Sequence, residues 1–152
     1  MTLVRGTVVV LLLPACLAAS SAQAASRPPT LGSKSYPGKG FPSRLPGFGA
    51  VAPRLVSANG DANSIIEHVR WVGWGKRDAL GYGSSYEFAS AGGYLPGMFP
   101  VELRATDRGR CRPNGPIVYR RLLRRDRIDG GTAWSSWAAW PDVSYPRPQL
   151  LC

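Results

Sequence analysis

From residue 64 onward, apolar and polar positions alternate in short runs separated by glycine-rich breaks. This period of two is the mark of half-buried strands. The run SIIEHVRWVGW (64–74) alternates Ile65, Val69 and Trp71 with polar partners and predicts a first strand. Gly75-Lys76-Arg77-Asp78 reads as a hairpin connection. The predicted return strand, Ala79 to Phe88, has Gly81 and Gly83 on one face and Leu80, Tyr82 and Ser84 on the other. Gly92-Gly93 and Pro96-Gly97 punctuate the next loop. Met98 to Thr106 is a third strand carrying Phe99, Val101 and Leu103 on one face, turned by Asp107 to Arg110. Pro116 to Arg125 alternates loosely enough to fit a strand or a helix. A strand is favoured because Asp129-Gly130-Gly131 suits a hairpin turn before the aromatic, β-prone segment Thr132 to Tyr145. Five or six short strands with glycine turns predict a mainly β domain: a small antiparallel sheet, rolled or barrel-like.

The pattern differs upstream. Residues 1–25 combine Arg5 with the apolar run Val8 to Leu13, then small residues ending in Ala22-Gln23-Ala24. That is the layout of an export signal cut near Ala24 or Ala25. The run is too short for a membrane helix, which needs about 20 apolar residues, and no later segment is longer. Leu13-Pro14-Ala15-Cys16 offers a rival, lipid attachment at Cys16, but proline is poor at that position. The expected location is the medium or the cell envelope. Residues 26–58 follow with many prolines and glycines, five basic residues and no acid. They read as a disordered basic tether ahead of the domain at 59–152.

Charge sharpens this picture. The chain has 19 basic and 9 acidic residues, a net charge of +10. Without Arg5, 18 against 9 leaves +9. A field of this sign attracts anionic polymers and acidic surfaces in a salt-dependent way. The basic residues concentrate from Arg104 to Arg127, where nine arginines meet only Asp107 and Asp126. Arg104, Arg108, Arg110, Arg112, Arg120, Arg121, Arg124 and Arg125 are the candidate polyanion contacts. Nine acids cannot pair every cation. The partner expected is an anionic cell-wall polymer or acidic surface, with no sequence-specific nucleic acid.

Cys111 and Cys152 remain once the leader is removed. In an oxidising compartment they are expected to pair and tie down the C-terminus. The stretch Val69 to Gly83 reads V-x-W-x-x-W-G-x-x-x-A-x-G-x-G. It resembles a pattern in small, mostly uncharacterised secreted proteins of actinobacteria, which also have two later cysteines with a tyrosine-containing strand between them; Cys111, Tyr119 and Cys152 stand in that order here. The resemblance implies a disulfide-stapled β domain and no activity. Independently, a turn at 75–78 sets Trp71 opposite the Gly81–Tyr82 region, where an indole can cover a face bare of side chains. Trp71 and Trp74 are therefore read first as fold-makers. The rival reading is an aromatic platform for sugar rings.

Trp134, Trp137 and Trp140 form W-x-x-W-x-x-W. This looks like the tryptophan ladder of thrombospondin type 1 modules, where arginines stack between rings. Those modules need several disulfides and this chain has one to offer, so local packing is the expected role. Catalytic signals are sparse. His68 is the only histidine, and no paired ligands for zinc accompany it. A secreted hydrolase acting on phosphodiester or glycan bonds would have to draw on His68, Glu87 or Glu102, and Arg104. A third reading is an interaction or inhibitory domain presenting loop 89–97. No cofactor is implied. The leading expectation is a non-catalytic exported basic domain.

Overall fold

A computed structural model of the chain describes residues 27–34, 36, 45–58, 64–87, 92–127, 132–141 and 150–152. Seven strands are present among them: β1 (Thr30–Leu31), β2 (Val56–Ser57), β3 (Ile65–Val72), β4 (Ala79–Ser85), β5 (Phe99–Arg110), β6 (Ile117–Asp126) and β7 (Ala138–Ala139). They form one curled, open sheet, a half-barrel, in the order β1-β6-β5-β4-β3-β2, with β7 also against β6. The expected β class and rolled sheet are observed. Residues 1–25, read as an export signal, and the turns Asn59-Gly60-Asp61 and Asp129-Gly130-Gly131 lie outside the described residues.

The β3–β4 hairpin forms where the sequence places it, with Trp71 opposite Gly81 and Arg70 opposite Tyr82. The indole of Trp71 lies across Gly81 so closely that a Cβ there would stand 3.0 Å from two ring carbons. The phase of β3 differs from expectation. Ile66 and Val69 are its buried residues, because a bulge falls between Glu67 and Arg70 and His68 takes a φ of 56°. One extra residue lets positions three apart both point inward.

β5 buries Val101, Leu103 and Ala105. It also runs past the expected turn at 107–110. β6 supplies partners to its last residues, Arg108 opposite Tyr119 and Arg110 opposite Ile117, so the chain reverses at 111–115 instead. Pro116 to Arg125 is resolved in favour of a strand. Among the described residues 132–141, the aromatic segment makes the short β7 and a bridge between Trp134 and Arg127, and its rings lie against arginines.

The tether expectation needs correction. Leu31, Tyr36, Leu45, Phe48 and Val56 are core residues. Fully burying such a side chain contributes roughly 1.5–3 kcal/mol, enough to offset ordering of neighbouring residues. β1 pairs with β6 in parallel, so the sheet is not purely antiparallel. Two tryptophans also grip this segment. The Trp71 Nε1–H donates to the Pro53 carbonyl (2.8 Å) and the Trp74 Nε1–H to that of Pro29 (2.9 Å).

Tyr119, on β6, links that strand to the tip of the β3–β4 hairpin. Its hydroxyl donates to the Lys76 carbonyl (2.8 Å) and accepts from the Gly75 N–H (2.9 Å). Trp74 meets its ring edge-on, with centroids 4.9 Å apart. The C-terminus is stitched beside it: Leu151 N–H donates to Arg120 O, and Ser33 N–H to Leu151 O, both at 2.7 Å. Cys111 and Cys152 are joined by a disulfide across Cα atoms 5.5 Å apart.

Candidate functional site

Three surface features carry the residues with chemical potential. The first is the arginine-rich β5–β6 hairpin. Here four carboxylates hold five arginines. Arg104 bonds Asp78 at 2.7 Å, and Arg124 bonds Asp126 at 2.7 Å. Arg125 Nε donates to Glu102 at 2.6 Å. Asp107 takes Arg120 at 2.7 Å and Arg121 more loosely at 3.8 Å. Arg120 also lies across Gly109, where a Cβ would come within 2.9 Å of its guanidinium carbon. Most of the expected contact residues on β6 are therefore engaged inside the molecule.

The end of the hairpin is different. Arg108, Arg110 and Arg112 are exposed, and among the described residues no carboxylate lies within ion-pair distance of them. Arg110 Nη1 donates to the Gly115 carbonyl, which fixes its direction without neutralising it. Arg108 and Arg110 are alternate residues of β5, and Cys111, anchored to the C-terminus, holds the strand end in place. Exposed guanidinium forks with no carboxylate beside them are suited to phosphate or carboxylate groups from outside.

The second feature is the tryptophan segment. Arg125 lies over Trp134 and Trp137, 5.2 and 4.6 Å from the ring centroids. Arg124 lies over Phe99 and Trp140, at 5.9 and 5.7 Å, and Arg127 over Trp134 at 5.6 Å. The stacking suggested by W-x-x-W-x-x-W is thus present, and it serves to clamp residues 134–140 onto β6. Trp71 and Trp74 do not form a flat platform. Both are half-buried, meet each other edge-on at 4.8 Å, and aim their N–H groups at backbone carbonyls.

The third feature is an open groove of about 590 Å³, lined by Arg54, His68, Val69, Arg70, Tyr82 and Gly83. Of these, the sequence marked only His68 as a candidate for chemistry; Val69, Tyr82 and Gly83 were read as strand residues. The pairing of Arg70 with Tyr82 was implicit in the hairpin register. Arg54 had no signal, because it sits in the segment expected to be disordered. Glu87, Glu102 and Arg104, the other residues a hydrolase would draw on, do not line this groove. Loop residues 92–97 expose Tyr94 and Leu95, with Tyr94 edge-on to Tyr86 at 6.3 Å; residues 88–91 lie outside the described residues.

Among the described residues, no group of three or more His, Cys, Asp or Glu side chains could hold a metal, and no helix is long and apolar enough to cross a membrane. No protein-family model, curated protein or solved structure matches the chain.

Proposed function

We propose that the protein is an exported, non-catalytic basic domain that associates with anionic polymers of the cell envelope through the end of the β5–β6 hairpin. The observation that carries this reading is the contrast along one hairpin. Arg104, Arg120, Arg124 and Arg125 are paired with carboxylates, whereas Arg108, Arg110 and Arg112 are exposed without one among the described residues. Export rests on the layout of residues 1–25, and the surplus of cations on the composition.

A hydrolase reading has less support. It needs an acid and a base free in one cleft. Glu102 is held by Arg125 and Arg104 by Asp78, and neither reaches the groove that His68 lines. The test is retention of the purified protein on isolated cell-wall fragments in steps of rising salt. Charge-driven association predicts strong retention at low ionic strength and release as the Debye length shrinks to about 3 Å near 1 M salt. Equal retention at both extremes contradicts it.

A further inference from the structure

The groove beside β3 is lined by residues that the bulge at His68 and the chain before β2 bring together. His68 occupies a left-handed backbone conformation, φ 56°, which is costly for a residue with a side chain. Its bulge turns both His68 and Arg70 to solvent while Ile66 and Val69 go to the core. Arg54 is brought to the same place by a backbone hydrogen bond from Val69 N–H to Arg54 O, 2.9 Å. Gly83 contributes no side chain, and a Cβ there would stand 2.8 Å from the Glu67 carbonyl oxygen. That Cβ would press on β3 and the Ile66 side chain beneath the groove, so Gly83 lines it with backbone alone. Tyr82, 40% exposed, lies across the strand from Arg70.

Two guanidinium groups and an imidazole thus line one depression with the ring of a tyrosine. Glu67 is next to His68 in sequence but does not line the groove, and among the described residues neither arginine has an ion-pair partner. Arginine forks match tetrahedral oxyanions, and an aromatic face beside them suits the C–H face of a sugar ring. About 590 Å³ falls within the range of small-ligand sites, which runs from roughly 300 to 1,000 Å³. We infer that Arg54, His68, Arg70 and Tyr82 form a binding site for a phosphorylated saccharide, with the phosphate on the two arginines and His68 and the ring against Tyr82. The site is separate from the hairpin end that carries Arg108, Arg110 and Arg112, so either can fail without the other.

The sole histidine makes the test direct, because its ring resonances report on this groove alone. Inorganic phosphate, glucose 6-phosphate, uncharged glucose and a phosphate-bearing wall polymer are titrated at constant pH and ionic strength while the His68 ring signals are followed by NMR. Saturable shifts are expected with phosphate and glucose 6-phosphate, with glucose 6-phosphate at least threefold tighter, and none with glucose. The polymer arm distinguishes the source: saturation by the polymer at matched phosphate concentration assigns a polymer-borne group, and saturation by glucose 6-phosphate alone assigns a free sugar phosphate. Arg54→Ser and Arg70→Ser should each weaken binding about tenfold, and Arg70→Lys should restore little of it. Tyr82→Ala should remove only the preference over inorganic phosphate. Replacing Arg108, Arg110 and Arg112 by serine should leave the glucose 6-phosphate titration unchanged. The inference is overturned by linear, unsaturable shifts, by binding that survives both arginine substitutions, or by glucose 6-phosphate binding no better than phosphate. Both arginines are exposed, and a wild-type NMR spectrum outside the groove confirms that each variant is folded.

Discussion

The guanidinium of Arg125 lies over the indole of Trp137, 4.6 Å from its centroid, while its Nε donates to Glu102 at 2.6 Å. One side chain thus ties β6 to β5 and to the segment after it. Arg125→Ala should destabilise the protein by about 1–3 kcal/mol, since it removes stacking and leaves the Glu102 carboxylate without its cation. Arg125→Lys should recover little, because an ammonium has no planar fork. In a double-mutant cycle read by urea denaturation, Arg125→Ala and Trp137→Ala should couple by about 0.5–1 kcal/mol. Strict additivity contradicts the stacked arrangement.

Tyr119 supports a second prediction. Burial raises the ionisation of its phenol above the ordinary value of 10.0; Asp78 adds to this, while the Gly75 hydrogen bond and Arg108 partly oppose it. A folded-state value above the unfolded one means the contribution is intact below about pH 10 and is lost as pH climbs through the folded value. Tyr36, also raised by burial, acts in the same direction. Tyr119→Phe should cost about 1–3 kcal/mol at neutral pH, because the Gly75 N–H and Lys76 carbonyl lose their partner. The variant should also show a shallower loss of stability above pH 10. Wild-type stability at neutral pH, or an unchanged alkaline slope, contradicts the bridging role.

The crosslink leads to a third. Cys111 and Cys152 are 41 residues apart, and closing a loop of that length should stabilise by about 3–4 kcal/mol in the chain-entropy view. Cys111→Ser with Cys152→Ser should lower the denaturation midpoint accordingly. Reduction of the wild type should do the same and give a matching curve. A reduced protein as stable as the oxidised one contradicts the tail's anchoring role.

How far the sequence could be read depended on whether a signal was local. The β3–β4 hairpin was legible because its turn, alternating glycines and Trp71 all lie within twenty residues. The disulfide was legible from the expected compartment and the cysteine number. The ordering of residues 27–34 and 45–58 was not. Their proline and glycine content disfavours structure locally, and what holds them is distant: Trp71 and Trp74 on their carbonyls, β6 beside Leu31, Leu151 against Gly32. The bulge at His68 leaves no compositional trace, so the phase of β3 and the groove it shapes were hidden. The arginine cluster was visible, but its division was not, because Asp78 and Glu102 reach Arg104 and Arg125 only through strand pairing.

In the proposed function, the arginines at the hairpin end that have no carboxylate partner among the described residues, rather than the cluster as a whole, contact polyanions. The direct measurement is the binding constant for a defined linear polyphosphate as a function of salt, for the wild type and for a variant with Arg108, Arg110 and Arg112 all changed to serine. Each arginine lost should reduce the slope of log K against log salt by roughly 0.7–0.9, as counterion release requires, so the variant should be shallower by about 2–3. Arg124→Ser and Arg125→Ser, which disrupt internal pairs, should leave that slope nearly unchanged. An unaltered slope in the triple variant, or a loss confined to the β6 substitutions, contradicts the account.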